Sequence, residues 1–117
     1  MTRLLIVEDN PLNMELVFEI SEAQGFIADR VENGEDALKR VDNEYYDLIL
    51  MDIELPGIDG IEVTRIIKSK YKGIPIIALT SYAMKGDKER FLAAGFDEYV
   101  SKPIDVLDFT RRLRKYK

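Results

Sequence analysis

Five short apolar runs alternate with longer segments of helical spacing, and this alternation constrains the fold of the 117-residue chain more than any other feature. The runs cover residues 4–7, 26–31, 48–51, 74–79 and, more weakly, 98–101. Those at 4–7, 48–51 and 74–79 are continuously apolar, which is typical of parallel strands that helices cover on both faces. We therefore predict an α/β domain with a doubly wound parallel sheet of five strands and five helices.

Residues that start and stop helices lie between the runs. Asn10 followed by Pro11 predicts the start of a first helix that Gly25 ends. Further helices are expected from residue 33, from near residue 59, over residues 83–94 and over residues 106–115. We expect these elements to fill residues 1–117 as one domain, without a linker or a separate effector domain. The residues expected on the core side of the first, third and fifth helices are Leu12, Leu16, Val17, Ile20 and Ala23; Ile61, Ile66 and Ile67; and Val106, Phe109 and Leu113.

The composition excludes several kinds of chemistry. The chain contains neither histidine nor cysteine, so Ser-His-Asp catalysis, thiol nucleophiles, disulfides and the usual zinc sites are excluded. With 17 Lys and Arg against 22 Asp and Glu, the net charge of −5 argues against nucleic acid as a partner. The longest apolar stretch covers only residues 74–79, so we expect no membrane span and a cytoplasmic protein.

Polar and charged residues stand where the predicted strands end. Glu8 and Asp9 follow the first strand, Asp52 follows the third, and Thr80 and Lys102 stand at the ends of the fourth and fifth. Sites in open parallel sheets form beyond the carboxyl ends of the strands, so these groups share one crevice if strands 1, 3, 4 and 5 are neighbours. Three carboxylates in one pocket repel one another, and a hard divalent cation such as Mg²⁺ would offset their charge.

This set of groups is suited to phosphoryl transfer. Asp52 would be the nucleophile that forms an aspartyl phosphate, and Lys102 would pair with the incoming phosphoryl group. Glu8 and Asp9 would hold the metal, together with a backbone carbonyl just past Asp52. Each residue also has an ordinary structural interpretation: a solvated turn for the acid pair, a helix cap for Thr80 and a surface ammonium for Lys102. Four strand ends that each offer a group needed by one reaction favour the functional interpretation.

Four segments carry a resemblance to a known family: LLIVEDN at residues 4–10, LILMDIELPGIDG at 48–60, ALTSYAMKGD at 78–87 and YVSKPI at 99–104. They resemble the receiver domains of two-component response regulators, and the resemblance covers the whole chain. It implies a flavodoxin-like fold with strand order 2-1-3-4-5. It also implies that Asp52 is the phosphoacceptor. The implied magnesium ligands are Glu8, Asp9, Asp52 and the carbonyl of Glu54, with Mn²⁺ as an alternative ion.

The resemblance assigns a switching role to two further residues. Thr80 matches the hydroxyl that moves toward the phosphoryl group, and Tyr99 matches an aromatic side chain that turns inward as the hydroxyl shifts. Lys102 matches the lysine that precedes a proline whose peptide bond is usually cis, here Pro103. Asp52, Thr80 and Lys102 are therefore the expected catalytic residues.

Two variable positions of the family are expected to set how long the phosphoryl group lasts. They lie two residues past Asp52 and Thr80 and are occupied here by Glu54 and Tyr82. We hypothesise that both side chains hinder attacking water and prolong the phosphorylated state.

The expected function is that of a single-domain response regulator in two-component signalling or a phosphorelay. A histidine kinase or a phosphotransfer protein would supply the phosphoryl group, because the chain has no histidine, and the phosphorylated form would bind a protein target differently. The chemistry would be limited to magnesium-dependent self-phosphorylation and self-dephosphorylation, in a monomer or weak dimer. The alternatives are a receiver segment of a longer hybrid kinase, a phosphorylation-independent interaction module, and a magnesium-dependent phosphohydrolase, for whose substrate cap 117 residues leave no room.

Overall fold

Strands and helices alternate along the whole chain. The structure is a computed structural model that describes residues 2–81 and 87–117. The strands are β1 (Arg3–Val7), β2 (Ile27–Val31), β3 (Leu48–Asp52), β4 (Ile76–Thr80) and β5 (Glu98–Ser101). The helices are α1 (Pro11–Ala23), α2 (Gly34–Asn43), α3 (Gly60–Lys70), α4 (Asp87–Ala94) and α5 (Val106–Arg114). The predicted strands are therefore confirmed to within two residues, while residues 83–86 of the predicted fourth helix lie outside the described residues.

The five strands form one sheet in the order β2-β1-β3-β4-β5, and every neighbouring pair is parallel. This confirms the predicted doubly wound sheet and its strand order. In the registers of the pairs, Asp52 lies beside Leu79, and Thr80 lies beside Ser101. The last residues of β3, β4 and β5 therefore meet at one edge of the sheet, where β1 also ends.

The sheet separates two apolar cores. One core lies on the side of α1 and α5 and contains buried residues of both helices together with alternate residues of the strands. The other core lies on the side of α2, α3 and α4 and contains the remaining strand residues. Because both faces are covered, β3 and β4 are buried along their whole length, whereas the edge strand β2 is mostly only partly buried or exposed.

Four of the predicted core positions are wrong. Leu12 is 82% exposed and Val106 is 49% exposed. Ala23, the last residue of α1, is also exposed, and Ile66 is only partly buried. In α1 the buried face is instead Met14, Val17, Ile20 and Ser21. A helix turns about 100° per residue, which places Leu12 roughly 140° from Val17 around the helix axis. The apolar residues of α1 therefore form two stripes along the helix, and only one of them faces the sheet. Ile66 is likewise turned about 100° away from the buried Ile67, and Val106 stands in the first turn of α5.

The start of α3 approaches the end of β3 very closely. The side chain of Asp59 caps the helix by accepting a hydrogen bond from the Glu62 N–H, and the Gly60 N–H donates to the Ile53 carbonyl at 3.0 Å. A Cβ atom at Gly60 would lie 2.1 Å from the Asp52 carbonyl oxygen and 2.9 Å from the Ile53 Cα. Only glycine fits this contact, so Gly60 lets α3 begin directly beside the last residue of β3.

We expect the substitution Gly60→Ala to destabilise the protein by about 2 kcal/mol or more, because the added methyl group overlaps backbone atoms that cannot move without disturbing β3. Gly73→Ala is the matched control, since a Cβ there meets nothing within 4 Å, and it should change the free energy of unfolding by no more than about 1 kcal/mol. Urea unfolding of both variants measures the difference. Equal stabilities would contradict the proposed close contact.

Candidate functional site

Three carboxylates meet at the carboxyl edge of the sheet. Glu8 and Asp9 follow β1, and Asp52 is the last residue of β3, so adjacent strands deliver all three. One oxygen atom from each lies within 4.8 Å of the others. Glu8 and Asp52 are each only 1% exposed, whereas Asp9 is exposed. The Asn10 N–H donates to Glu8 Oε2 at 3.1 Å and helps to hold that carboxylate beneath the start of α1.

Lys102 brings a positive charge to these carboxylates from β5, at the far side of the sheet. Its Nζ lies 2.8 Å from Glu8 Oε1 and 3.3 Å from Asp52 Oδ2, and the side chain is largely buried. The Lys102 N–H donates to the Thr80 carbonyl at 2.8 Å, which extends the pairing of β4 with β5 by one residue. The peptide bond between Lys102 and Pro103 is cis.

Burial and neighbouring charges shift the pKa values of Asp52 and Lys102. Burial, reinforced by the neighbouring Glu8 carboxylate, raises the pKa of Asp52 from 3.8 to about 7, against the opposing effects of the Glu54 N–H and the Lys102 ammonium. Burial alone would lower the pKa of Lys102, but the carboxylates of Glu8 and Asp52 outweigh it and raise that pKa. Lys102 is therefore charged at neutral pH, and the cluster contains three carboxyl groups and this one ammonium.

The donor set fits a hard divalent cation. Although Glu8 Oε1 contacts the Lys102 ammonium, this buried oxygen accepts no hydrogen bond of regular geometry from any residue that the structure describes. Carboxylate oxygens are the ligands that Mg²⁺ prefers, and Mg²⁺ is usually held by few protein groups together with water and a phosphate oxygen. Two buried carboxylates and one exposed carboxylate around a single ammonium match that description in both charge and ligand type.

Thr80 and Tyr99 lie on the same face of the sheet, and Thr80 stands at the edge where this cluster lies. Thr80 is fully buried at the end of β4. Tyr99 pairs with Ala78 in register, is partly buried against the α2–α4 core, and places its ring 5.9 Å from that of Phe91. Tyr82, the other residue expected near Thr80, lies outside the described residues.

The backbone N–H of Glu54 donates to Asp52 Oδ1 at 3.0 Å, and its side-chain Oε1 accepts a hydrogen bond from the Ser81 N–H, also at 3.0 Å. The second contact was not predicted. Nothing in the sequence indicates it, because Glu54 and Ser81 stand in two separate loops that only the packed sheet brings together.

The family model for the response regulator receiver domain matches residues 4–114. The chain belongs to this family.

Known receiver proteins resemble the chain over nearly its full length. The polar-differentiation response regulator DivK of Brucella anthropi is 45% identical over 115 residues, which cover 97% of this chain and 94% of that protein. The receiver domain of the sensor histidine kinase PA1611 of Pseudomonas aeruginosa PAO1 is 37% identical, with a TM-score of 0.88 over 98% of this chain and 96% of that one, and it holds a magnesium ion in its active-site cleft. The response regulator TrrA of Thermotoga maritima, in complex with Mg²⁺ and BeF, is 38% identical, with a TM-score of 0.90 over the full length of both chains.

These relatives place the receiver domain described here in two-component signalling, and the acidic cluster is consistent with the magnesium site of the PA1611 and TrrA structures. In the two described stretches of this receiver domain, no helix is long and apolar enough to cross a membrane.

In the absence of divalent metal, we expect Asp52→Asn to stabilise the receiver domain at pH 8 by about 2 to 4 kcal/mol, because it removes a buried negative charge. Folding raises the pKa of Asp52, so the stability that this group contributes below about pH 4 is lost as the pH rises through about 7. The free energy of unfolding of wild type should therefore fall relative to that of Asp52→Asn as the pH rises across this range. The difference between the two proteins should level off near pH 8.

Urea unfolding in EDTA, measured from pH 4 to pH 8, tests this expectation. Asp9→Asn is the control, because solvent already hydrates this exposed carboxylate and the same substitution should have a smaller effect. A wild-type protein more stable than Asp52→Asn at pH 8 would count against the unfavourable burial of Asp52.

Proposed function

We propose that this receiver domain accepts a phosphoryl group on Asp52 from a phosphohistidine of a histidine kinase or phosphotransfer protein. The observation that carries the proposal is the buried Asp52 carboxylate in contact with the Lys102 ammonium, beside two further carboxylates. A structural ion pair would need only one carboxylate. The additional carboxylates are explained if a metal ion and a phosphoryl group share the site.

The proposed metal ligands are the carboxylates of Glu8, Asp9 and Asp52 and the carbonyl of Glu54. Mg²⁺ is the proposed ion, and Mn²⁺ is an alternative because it prefers the same oxygen ligands. When bound, the ion would neutralise charge between the carboxylates and the phosphoryl oxygens. The PA1611 and TrrA structures, which contain magnesium, support this assignment.

The proposed transfer is a displacement at phosphorus. An Asp52 carboxylate oxygen forms the new O–P bond while the P–N bond of the donor phosphohistidine breaks, and the electron pair of that bond returns to the imidazole nitrogen. Lys102 Nζ lies 3.3 Å from Asp52 Oδ2, and its ammonium would pair with an oxygen of the transferred group. The Thr80 hydroxyl would approach the same group. Small acyl phosphates could replace the protein donor, with a P–O bond breaking instead.

The proposed output is a change in the binding of a protein target. Thr80 and Tyr99 lie on the α2–α4 side of neighbouring strands, so a movement of Thr80 toward the phosphoryl group would leave room for Tyr99 to turn inward from its place against Phe91. This would alter the surface of β5 beside α4. The receiver domain would act as a cytoplasmic monomer or weak dimer.

The similarity to DivK favours a response regulator that consists of a receiver domain alone. The similarity to the PA1611 receiver, which belongs to a sensor histidine kinase, supports the second candidate, a receiver segment of a hybrid kinase. Both candidates use the same chemistry at Asp52.

Incubation with Mg²⁺ and acetyl phosphate should add one phosphoryl group to the protein, which intact-mass spectrometry detects. We expect no adduct with Asp52→Ala, since the nucleophile is missing, and none without Mg²⁺. Asp36→Ala removes an exposed carboxylate of α2 and should leave the adduct unchanged. If neither acetyl phosphate nor a phosphotransfer protein gives an adduct, and beryllofluoride does not bind, the protein is a phosphorylation-independent interaction module.

We expect Glu54→Ala and Tyr82→Ala each to accelerate the loss of the phosphoryl group severalfold, because both side chains would shield it from water. The decay of the adduct after removal of the donor, followed by mass spectrometry, measures this effect. Unchanged or slower decay in both variants would contradict the proposed shielding.

A further inference from the structure

The side chain of Glu54 connects the two loops that border the site. Its Oε1 accepts a hydrogen bond from the Ser81 N–H at 3.0 Å, across 27 positions of sequence, and we call this contact the Glu54–Ser81 tether. Glu54 stands two residues past Asp52, and Ser81 directly follows Thr80. The tether therefore joins the loop after the proposed phosphoacceptor to the loop after the proposed switch residue.

The tether is a side-chain contact beyond the end of the β3–β4 pairing. Among residues 2–81 and 87–117, the last backbone hydrogen bond between the two segments runs from the Ile53 N–H to the Leu79 carbonyl at 3.0 Å. Past this point the Glu54 carboxylate holds Ser81, and both residues are exposed. A contact at an exposed rim can break without unfolding the sheet, because water can hydrate both groups.

The backbone of Glu54 also lies close to Asp52, since the Glu54 N–H donates to Asp52 Oδ1 at 3.0 Å. A phosphoryl group adds about −1.5 to −2 charge at neutral pH. Placed on Asp52, it would repel the Glu54 carboxylate and would offer the Ser81 N–H a second anionic acceptor in the same crevice. Both effects act against the tether.

We propose that the Glu54–Ser81 tether is a resting-state latch on Ser81, the residue directly after β4, and that a phosphoryl group on Asp52 releases it by repelling Glu54. This inference rests on the proposed phosphorylation of Asp52. It assigns the side chain of Glu54 a positioning role that is separate from shielding against water, because the latch acts on Ser81 before the phosphoryl group arrives.

Two substitutions separate the hydrogen bond from the charge. Glu54→Gln keeps an oxygen that can accept from the Ser81 N–H but removes the repulsion. Glu54→Ala removes both. The matched controls are Glu19→Gln and Glu19→Ala, at an exposed position in the middle of α1.

The first measurement is the ¹H–¹⁵N NMR signal and the hydrogen exchange of the Ser81 amide in the absence of metal and phosphoryl mimic. Glu54→Ala should shift the signal and speed the exchange roughly threefold or more, because the amide loses its acceptor, while Glu54→Gln and both Glu19 variants should resemble wild type. A Ser81 amide that is unchanged in Glu54→Ala would overturn the latch, and this result does not depend on phosphorylation.

The second measurement is the binding of beryllofluoride, a stable phosphoryl mimic, at saturating Mg²⁺. Glu54→Ala should bind it roughly three- to tenfold more tightly than wild type, because the latch no longer has to be broken and the repulsion is gone. Glu54→Gln should bind beryllofluoride with intermediate affinity. When saturated with beryllofluoride, it should retain more of the Ser81 amide signal of the resting state than wild type does. Equal or weaker binding by Glu54→Ala would overturn the release step.

Failure of the proposed function gives a different pattern. In that case the wild-type protein would form no adduct on Asp52 and would not bind beryllofluoride, whatever the state of the Ser81 amide. The release step would then be wrong together with the proposed function, and the resting contact alone would remain.

Discussion

A single ammonium group shared by two buried carboxylates is the interaction on which the site depends. Lys102 contacts both Glu8 and Asp52, and Asp9 adds a third carboxylate at the rim. One positive charge cannot balance this set, and charges interact more strongly where water is scarce. The pocket is thus arranged to gain stability from a cation or from loss of charge on Asp52. Without a cation the buried acids reduce stability, and this cost is consistent with the metal site proposed here.

The strand ends determine where these charged side chains lie. The two cores determine which helices a structural change at the site would affect. Asp52, Thr80 and Lys102 stand at the ends of three strands that are neighbours in the sheet. Thr80 and Tyr99 face α2, α3 and α4, whose core is separated by the sheet from the core under α1 and α5. The proposed rearrangement of Thr80 would therefore reach the surface beside α4 while the packing of α1 and α5 stays as it is.

The sequence predicted most of the fold because continuous apolar runs and helix caps are local patterns. It also indicated which polar residues meet, since the ends of parallel strands share one edge. The strand order came from the resemblance, because periodicity does not specify which strands pair. The position of Leu12 was predicted wrongly because two helical stripes of α1 satisfied the same spacing. The contact of Glu54 with Ser81 depends on the approach of two loops in the packed structure, and no local pattern encodes it.

The site is assembled from opposite ends of the chain. Glu8 follows the first strand, Lys102 follows the last, and Asp52 stands in the middle of the sequence, so their contact exists only after β5 has joined the sheet. An unfolded chain therefore offers no comparable site. Any ligand that binds the assembled cluster consequently draws the folding equilibrium toward the native state by mass action. The same geometry that prepares the chain for signalling makes its thermal stability a direct measure of site occupancy.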